Sequence, residues 1–321
     1  MDNVCHTLVG AALAESGLGR RTSLGFATLL IGANLPDLDV LAYLDGPFAA
    51  LEWRRGWSHG VLAMAVLPLV LTGFMVLVDR TGRRLRRAVL PTEVRVGQIF
   101  LLSCVAILSH PLLDLLNTYG VRWLVPLSGQ WSYGDAIFII DPLLWLVLGA
   151  GAWASRKRRH ARERNVTPEV PARRALLFGV VYIAAMAVSG AAAARAAARE
   201  FRSLYSVPVS EIMAGPVAVS PFTREIVARQ DSVYRTVDFH WLRRPWIDPA
   251  AVRTFSAVPP PDPAVATAAA SPDGRRFLGW ARFPTFSVER SPSGDVVHIV
   301  DLRYADRIHG GFGTVAVPVG R

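Results

Sequence analysis

Long apolar runs separated by blocks of arginine constrain this chain more than any other feature. The clearest run is Gly60 to Val78, which holds no charged residue. A helix rises about 1.5 Å per residue and the hydrocarbon core of a bilayer is about 30 Å thick, so a run of that length can cross it. Gly97 to Leu116, Asp135 to Ala154 and Ala175 to Ala194 read the same way. Leu24 to about Asn34 is a further segment, with Thr22 and Ser23 as N-cap candidates, and the pair Leu35-Pro36 breaks or bends it. Val4 to Leu18 would span only about 22 Å as a helix, short for a full crossing. These runs predict an α-helical polytopic membrane domain of five to six hydrophobic helices over residues 1–198.

Charge supports a membrane rather than a nucleic-acid reading. The chain carries a net +10 but only 19 % charged residues, with a mean hydropathy of +0.32. Its arginines do not lie along one surface. They cluster in the stretches 79–95 (Arg80, Arg83, Arg84, Arg86, Arg87, Arg95) and 155–174, between apolar runs, as cytoplasmic loops do. Nucleic-acid binding is not expected; the expected location is a bacterial cytoplasmic (inner) membrane, crossed several times. Met1-Asp2-Asn3 lacks a basic region, so no cleavable signal peptide is expected. Cys5 and Cys104, both in apolar surroundings, read as buried thiols rather than a disulfide framework.

From about Arg199 the pattern changes, and residues 199–321 read as a soluble β-rich domain. Ser232 to His240, Arg276 to Ala281, Val296 to Leu302 and Thr314 to Val319 alternate like strands. Ser271-Pro-Asp-Gly274, Ser291-Pro-Ser-Gly294 and Gly310-Gly311 read as turns, and Val258 to Ala270 as a loop or linker.

The polar groups inside the apolar half are the candidate site. His110 and Asp114 lie four apart and share one helical face, a spacing that lets imidazole and carboxylate grip one divalent cation. His6, Asp37, Asp39 and His59 are further candidates, with Asp135 and Asp141 as weaker ones. If the arginine loops are cytoplasmic, alternation puts these groups near the opposite, outer face, and the last span delivers the β-rich domain outside the cytoplasm. His160 reads as solvated, and His240, His298 and His309 as structural or surface residues of the β-rich domain.

Four motifs together resemble a known family. They are His6, Asn34-Leu-Pro-Asp-Leu-Asp39, Arg55-Gly-Trp-Ser-His59 and the His110-x-x-x-Asp114 element. They look like those of the YdjM/YbcI-like membrane-bound metal-dependent hydrolases, over about residues 1–150. Their order is also similar to the zinc-dependent phospholipase C and P1-type nuclease group. That resemblance implies that Asp114 bridges metals, His59 and His110 hold one, His6 helps hold another, and Asp37 sits by the attacking water. The later His-rich element of that group is absent here, so one or two ions are expected rather than three.

The expected function is thus hydrolysis of an ester or phosphoester of a membrane lipid or lipid-linked substrate at the outer face. The expected cofactor is Zn²⁺, with Mn²⁺ as the alternative, and Asp37 or Asp39 is the expected general base. The competing expectation is a non-catalytic membrane scaffold or partner-binding protein with a structural metal site. Transport fits less well, because Gly60 to Val78 has no polar side chain beyond Thr72 to line a path.

Overall fold

The computed structural model describes residues 1–84, 94–161, 166–292, 294–305 and 312–320. Arg86, Arg87, His309, Gly310 and Gly311, with parts of both basic stretches, lie outside the described residues. The described chain divides into two compact units. One comprises Met1–Leu41 and Arg54–Ala185; the other comprises Ala42–Trp53 and Met186–Arg321.

The first unit is helical. Helix α1 (Asn3–Glu15) is capped by Asp2, whose carboxylate accepts from the backbone N–H groups of Val4 and Cys5. Helix α2 (Gly25–Gly32) is followed by a 3₁₀ stretch, Leu35–Asp45, where Pro36 cannot continue the α-helical ladder. A short helix, α3 (Pro47–Trp53), belongs to the second unit. Then come α4 (Val61–Arg84), α5 (Val96–Leu115), α6 (Pro142–Ala161) and α7 (Val170–Tyr205).

Helix α5 is the centre of this unit, and its sequence shows why. Ile99, Leu102, Ser103, Ala106, Ile107, His110 and Asp114 recur at helical spacing and are all buried. Towards α2 the stripe packs Leu102 and Ala106 against Leu29 and Ala14; towards α4 it packs Ile99 and Ile107 against Leu71 and Met75. Over its last turns the same stripe changes from apolar to polar, so the packing that orients α5 also aims His110 and Asp114 inward.

Among the described residues four helical segments are long and apolar enough to cross a membrane: Gly25–Asp45, Val61–Arg84, Val96–Leu115 and Val170–Tyr205. The count is lower than the five to six expected, for two reasons. Helix α1 has 13 residues, about 20 Å of rise. Helix α6 begins at Pro142 rather than Asp135 and ends in Arg156-Lys157-Arg158-Arg159-His160, which leaves too short an apolar part.

The second unit contains two antiparallel sheets. In the first, β1 (Glu211–Val217), β2 (Ser220–Gln230), β3 (Val233–His240) and β4 (Arg253–Ser256) lie in chain order. One face packs on the end of α7, through Ala193, Ala196, Ala197 and Phe201 against Ile226, Ala228, Val237 and Phe239. The intervening Val227 points the other way, onto Met213, Tyr234, Phe283 and Leu302. The second sheet orders β5 (Pro284–Ser291), β6 (Gly294–Asp301) and β7 (Thr314–Val319).

Two expectations for this unit are corrected. Residues 276–281 are not a strand: they end helix α9 (Pro272–Trp280), and the stretch 258–270 holds helix α8 (Pro263–Ala270). Ser271-Pro-Asp-Gly274 is a helix start rather than a turn, because the Ser271 hydroxyl accepts from the Gly274 N–H with Pro272 in the first helical position.

Close approach of α2 to α5 requires a small residue at Gly32. A Cβ there would lie 2.7 Å from the Ala106 Cβ and 3.1 Å from the Leu71 Cδ2. Gly32→Val should therefore destabilise the detergent-solubilised protein by about 1–3 kcal/mol. Gly73→Val, where a Cβ meets nothing within 4 Å, should not. Thermal melts of the two variants beside the parent check the difference.

Candidate metal centre

The polar end of α5 meets three other segments. His110 and Asp114 come from α5, Asp37 and Asp39 from the 3₁₀ stretch after α2, and His59 from the turn that precedes α4. His6 comes from α1. His6, His59, His110 and Asp114 are fully buried, and Asp37 is 7 % exposed.

One ligand atom from each of Asp37, His59, His110 and Asp114 can be chosen so that all lie within 4.8 Å of one another. His59 Nε2 stands 3.1 Å from Asp114 Oδ2, and His110 Nε2 stands 3.5 Å from the same oxygen and 3.6 Å from Asp37 Oδ1. Yet the two imidazole Nε2 atoms and Asp114 Oδ2 are buried with no aligned hydrogen bond. Proximity without alignment means that these atoms face a common point rather than each other.

The other ring nitrogens explain what Nε2 carries. His110 Nδ1 lies 2.6 Å from the Ala33 carbonyl, which only accepts, so Nδ1 holds the proton and Nε2 presents a lone pair. The Ser58 hydroxyl donates to Asp39 Oδ2 (2.7 Å) and lies 2.8 Å from His59 Nδ1. Its one proton is already committed, so His59 Nδ1 is the donor and Nε2 is again bare. Two bare imidazole nitrogens and two carboxylates converge in a dry site. That donor set fits a divalent cation, which would relieve the mutual repulsion of the lone pairs.

The remaining candidates take other places. Asp39 sits behind the His59 ring, where it accepts from Ser58 and from the Arg55 backbone N–H (2.9 Å) and lies 3.4 Å from Arg54 Nε. His6 stacks on His110 with ring centroids 3.6 Å apart and places Nε2 3.3 Å from the other carboxylate oxygen, Asp114 Oδ1. His6 lies in α1, outside the four candidate spans. Its burial pulls the pKa down to about 4 against the opposing pull of Asp114, so the ring stays neutral. Asp141 is drawn away from the cluster: Oδ1 caps α6 at the Leu144 N–H and Oδ2 accepts from the Tyr182 hydroxyl. Asp135 adopts a left-handed backbone (φ 47°) ahead of α6 and is not among the four convergent ligands.

Sequence reasoning placed Arg55 in a motif but did not give it a partner. Arg55 is 3 % exposed, and its Nη2 lies 3.1 Å from Asp114 Oδ1. Its Nη1 donates to Asn117 Oδ1 (3.0 Å), and the guanidinium lies over the Tyr119 ring. The Met1 amine also contacts Asp114 Oδ1. The signal available in the sequence was Asn117, a polar residue just after a span, which on its own reads as a helix end.

The fold and the cluster define a class: a membrane protein of several apolar helices that encloses a buried His/Asp group able to hold a divalent ion. Comparison with known proteins gives the family. Residues 1–197 match the model of the YdjM inner membrane protein family, so the chain belongs to that family. It is also 21 % identical over 154 residues to YfhP, an uncharacterized protein of Bacillus subtilis (strain 168). That match covers 46 % of this chain and 43 % of YfhP, so the chain spans under half of that relative's length. No solved structure matches.

Arg55 balances a buried charge, so its loss should be costly. Arg55→Met should destabilise the protein by about 3–5 kcal/mol, the range for removing one partner of a buried pair. Arg83→Met, whose Asp79 pair is exposed, should cost under about 1 kcal/mol. Denaturant titrations in detergent distinguish the two; equal values would show that Arg55 does not neutralise Asp114.

Proposed function

We propose that this protein is a membrane-bound, metal-dependent hydrolase that cleaves an ester or phosphoester of a membrane lipid or lipid-linked substrate. The observation that carries the reading is the convergence of bare His59 and His110 Nε2 atoms on Asp114 Oδ2, beside Asp37. These four side chains would hold one divalent ion, Zn²⁺ by its preference for imidazole and carboxylate in a four-ligand set, with Mn²⁺ as the alternative. The ion would supply Lewis acidity and lower the pKa of water toward neutrality.

The chain's own residues divide the remaining work. Asp37 is the most accessible of the four, and its carboxylate takes the proton from the attacking water. Asp39 fixes the His59 ring from behind and is a positioning residue rather than a base. Arg55 holds Asp114 through Oδ1 and leaves Oδ2 for the ion, while His6 Nε2, 3.3 Å from Oδ1, is itself buried without a hydrogen bond and stays a candidate ligand.

Sidedness supports a substrate at the outer leaflet. Arg83 and Arg84 end α4, and Arg156 to Arg159 lie at the end of α6, a distribution that favours the cytoplasm for those ends. His59 precedes the opposite end of α4, so the site lies towards the outer face. We take α6 to cross as well, despite its shorter apolar part, and on that count α7 runs outward and the β-rich domain lies outside the cytoplasm.

One observation favours the second reading, a non-catalytic scaffold with a structural metal. Four protein ligands close a tetrahedral set, whereas catalytic sites keep one position open. Elemental mass spectrometry and hydrolysis assays on detergent-purified protein separate the readings. The expected result is about one zinc or manganese per chain, lost in His59→Ala and His110→Ala, with phospholipid or phosphodiester hydrolysis lost alongside. Asp39→Asn should weaken metal affinity by about 10–100-fold. Bound metal with no hydrolysis of any phospholipid or phosphodiester tested would favour the scaffold. No uptake of added Zn²⁺ or Mn²⁺ would overturn both readings.

A further inference from the structure

The second unit contains an apolar pocket of about 370 Å³, within the size range of small-molecule sites. Tyr43, Pro47, Phe48 and Leu51 form one wall; Phe277, Trp280 and Phe312 form the other. We propose that this pocket binds one hydrocarbon chain of a membrane lipid.

The lining is the first argument. It offers aromatic and aliphatic surface without a charged side chain, and so suits an alkyl chain rather than a headgroup. The second wall is firmly built. Trp280 packs on Phe277 and Phe312 and stacks on Tyr304 with ring centroids 5.4 Å apart. Behind it, the Arg303 guanidinium lies 4.6 Å from the Trp280 ring centroid and is held by Asp301 at 2.7 Å, both fully buried. A pocket with such a wall need not collapse when empty.

Continuity with the membrane selects the occupant. Tyr43 lines the pocket and also lies in the candidate span Gly25–Asp45. Around it Leu38, Val40, Leu41 and Leu44 are 57 %, 50 %, 62 % and 85 % exposed. Val40 to Leu44 is an unbroken apolar run, and one so open to solvent is unfavourable in water and suited to a bilayer. The apolar medium that reaches the lip of the pocket is therefore lipid. Glu52, next to Leu51 in sequence, is salt-bridged to Arg276 at 3.1 Å, which ties α3 to α9 beside the pocket.

The wall also has a telling place in the sequence. Residues 42–53 sit between two parts of the metal centre, Asp37 and Asp39 before and Arg54 to His59 after. Asp39 joins the two sides by accepting from the Arg55 N–H. Tail binding does not depend on the hydrolase reading.

The test uses the full-length protein in nanodiscs containing phosphatidylglycerol with a diazirine near the end of one acyl chain. After illumination, peptide mass spectrometry should find adducts within 43–51, 277–280 or 312–314. Leu51→Trp, which fills the pocket, should reduce those adducts at least fivefold while adducts on the exposed face of α4 persist. Circular dichroism and metal content should match the parent, and a milder Leu51→Phe should give an intermediate loss. Adducts confined to α4, α5 and α7, or pocket adducts unchanged by Leu51→Trp, would overturn the proposal. Pocket adducts in a protein that binds metal but hydrolyses no lipid would uphold the pocket and remove the hydrolase reading. Hydrolysis without pocket adducts would do the reverse.

Discussion

The burial of Asp114 is the constraint on which the helical unit depends. A carboxylate with no solvent exposure, on a helix apolar enough to cross a membrane, carries a desolvation cost of several kcal/mol after relaxation. The fold meets that cost by giving each oxygen its own surroundings. Oδ1 faces Arg55, His6 and the Met1 amine; Oδ2 faces the two bare imidazole nitrogens. The first set contains the positive charge of Arg55. The second consists of acceptors only, an arrangement that could hold a cation.

Several local features follow from serving that carboxylate. Arg55 adopts a left-handed backbone (φ 51°), a conformation that costs a non-glycine residue of order 1 kcal/mol or more. The bend lets its backbone N–H reach Asp39 while its side chain reaches Asp114 and Asn117. Pro111 stands inside α5 next to His110, where it removes one helical N–H and with it one backbone bond beside the site. Asn34, between α2 and the 3₁₀ stretch, donates to the Leu30 carbonyl and accepts from Thr7, which joins the α2 end to α1 and so to His6. Each of these residues sits in one of the short motifs or beside it, so the motifs are as much a scaffold for one charge as a set of ligands.

The sequence made the helical unit legible because membrane spans and their arginine ends are set by composition over about twenty residues. The pairing of His110 and Asp114 on one face of α5 was legible through their spacing, whereas the apolar stripe that continues it was not read. The approach of Asp37 and His59 was read from motif order, not from any local rule, since nothing in a linear pattern measures distance across helices. Errors fell where two signals share the same residues. Ser271-Pro272-Asp273-Gly274 serves equally as a turn or a helix start, and only the packing of Phe277 and Trp280 decided for a helix. Strands β1 and β2 carried weaker alternation, because the first sheet is covered on both faces and its strands need no polar side. Arg55 escaped as a partner for Asp114 because a paired arginine beside tryptophan reads as a membrane-interface anchor.

Charge balance in the site bears on what it could receive. Asp37, Asp39 and Asp114 bring three negative side chains, while Arg54 and Arg55 bring two positive ones, and all five are within ion-pair range of one another or of the histidines. With neutral imidazoles the side chains alone carry one net negative charge, the Met1 amine lies against Asp114 Oδ1, and a divalent ion would leave the site net positive. In a low-dielectric setting an uncompensated charge of either sign is unfavourable, so a cation-loaded site would draw in an anionic oxygen. A phosphodiester supplies one at the atom to be attacked; a neutral carboxylic ester does not. Within the proposed hydrolase reading, this electrostatic preference favours anionic phosphoesters at a membrane surface over neutral carboxylic esters.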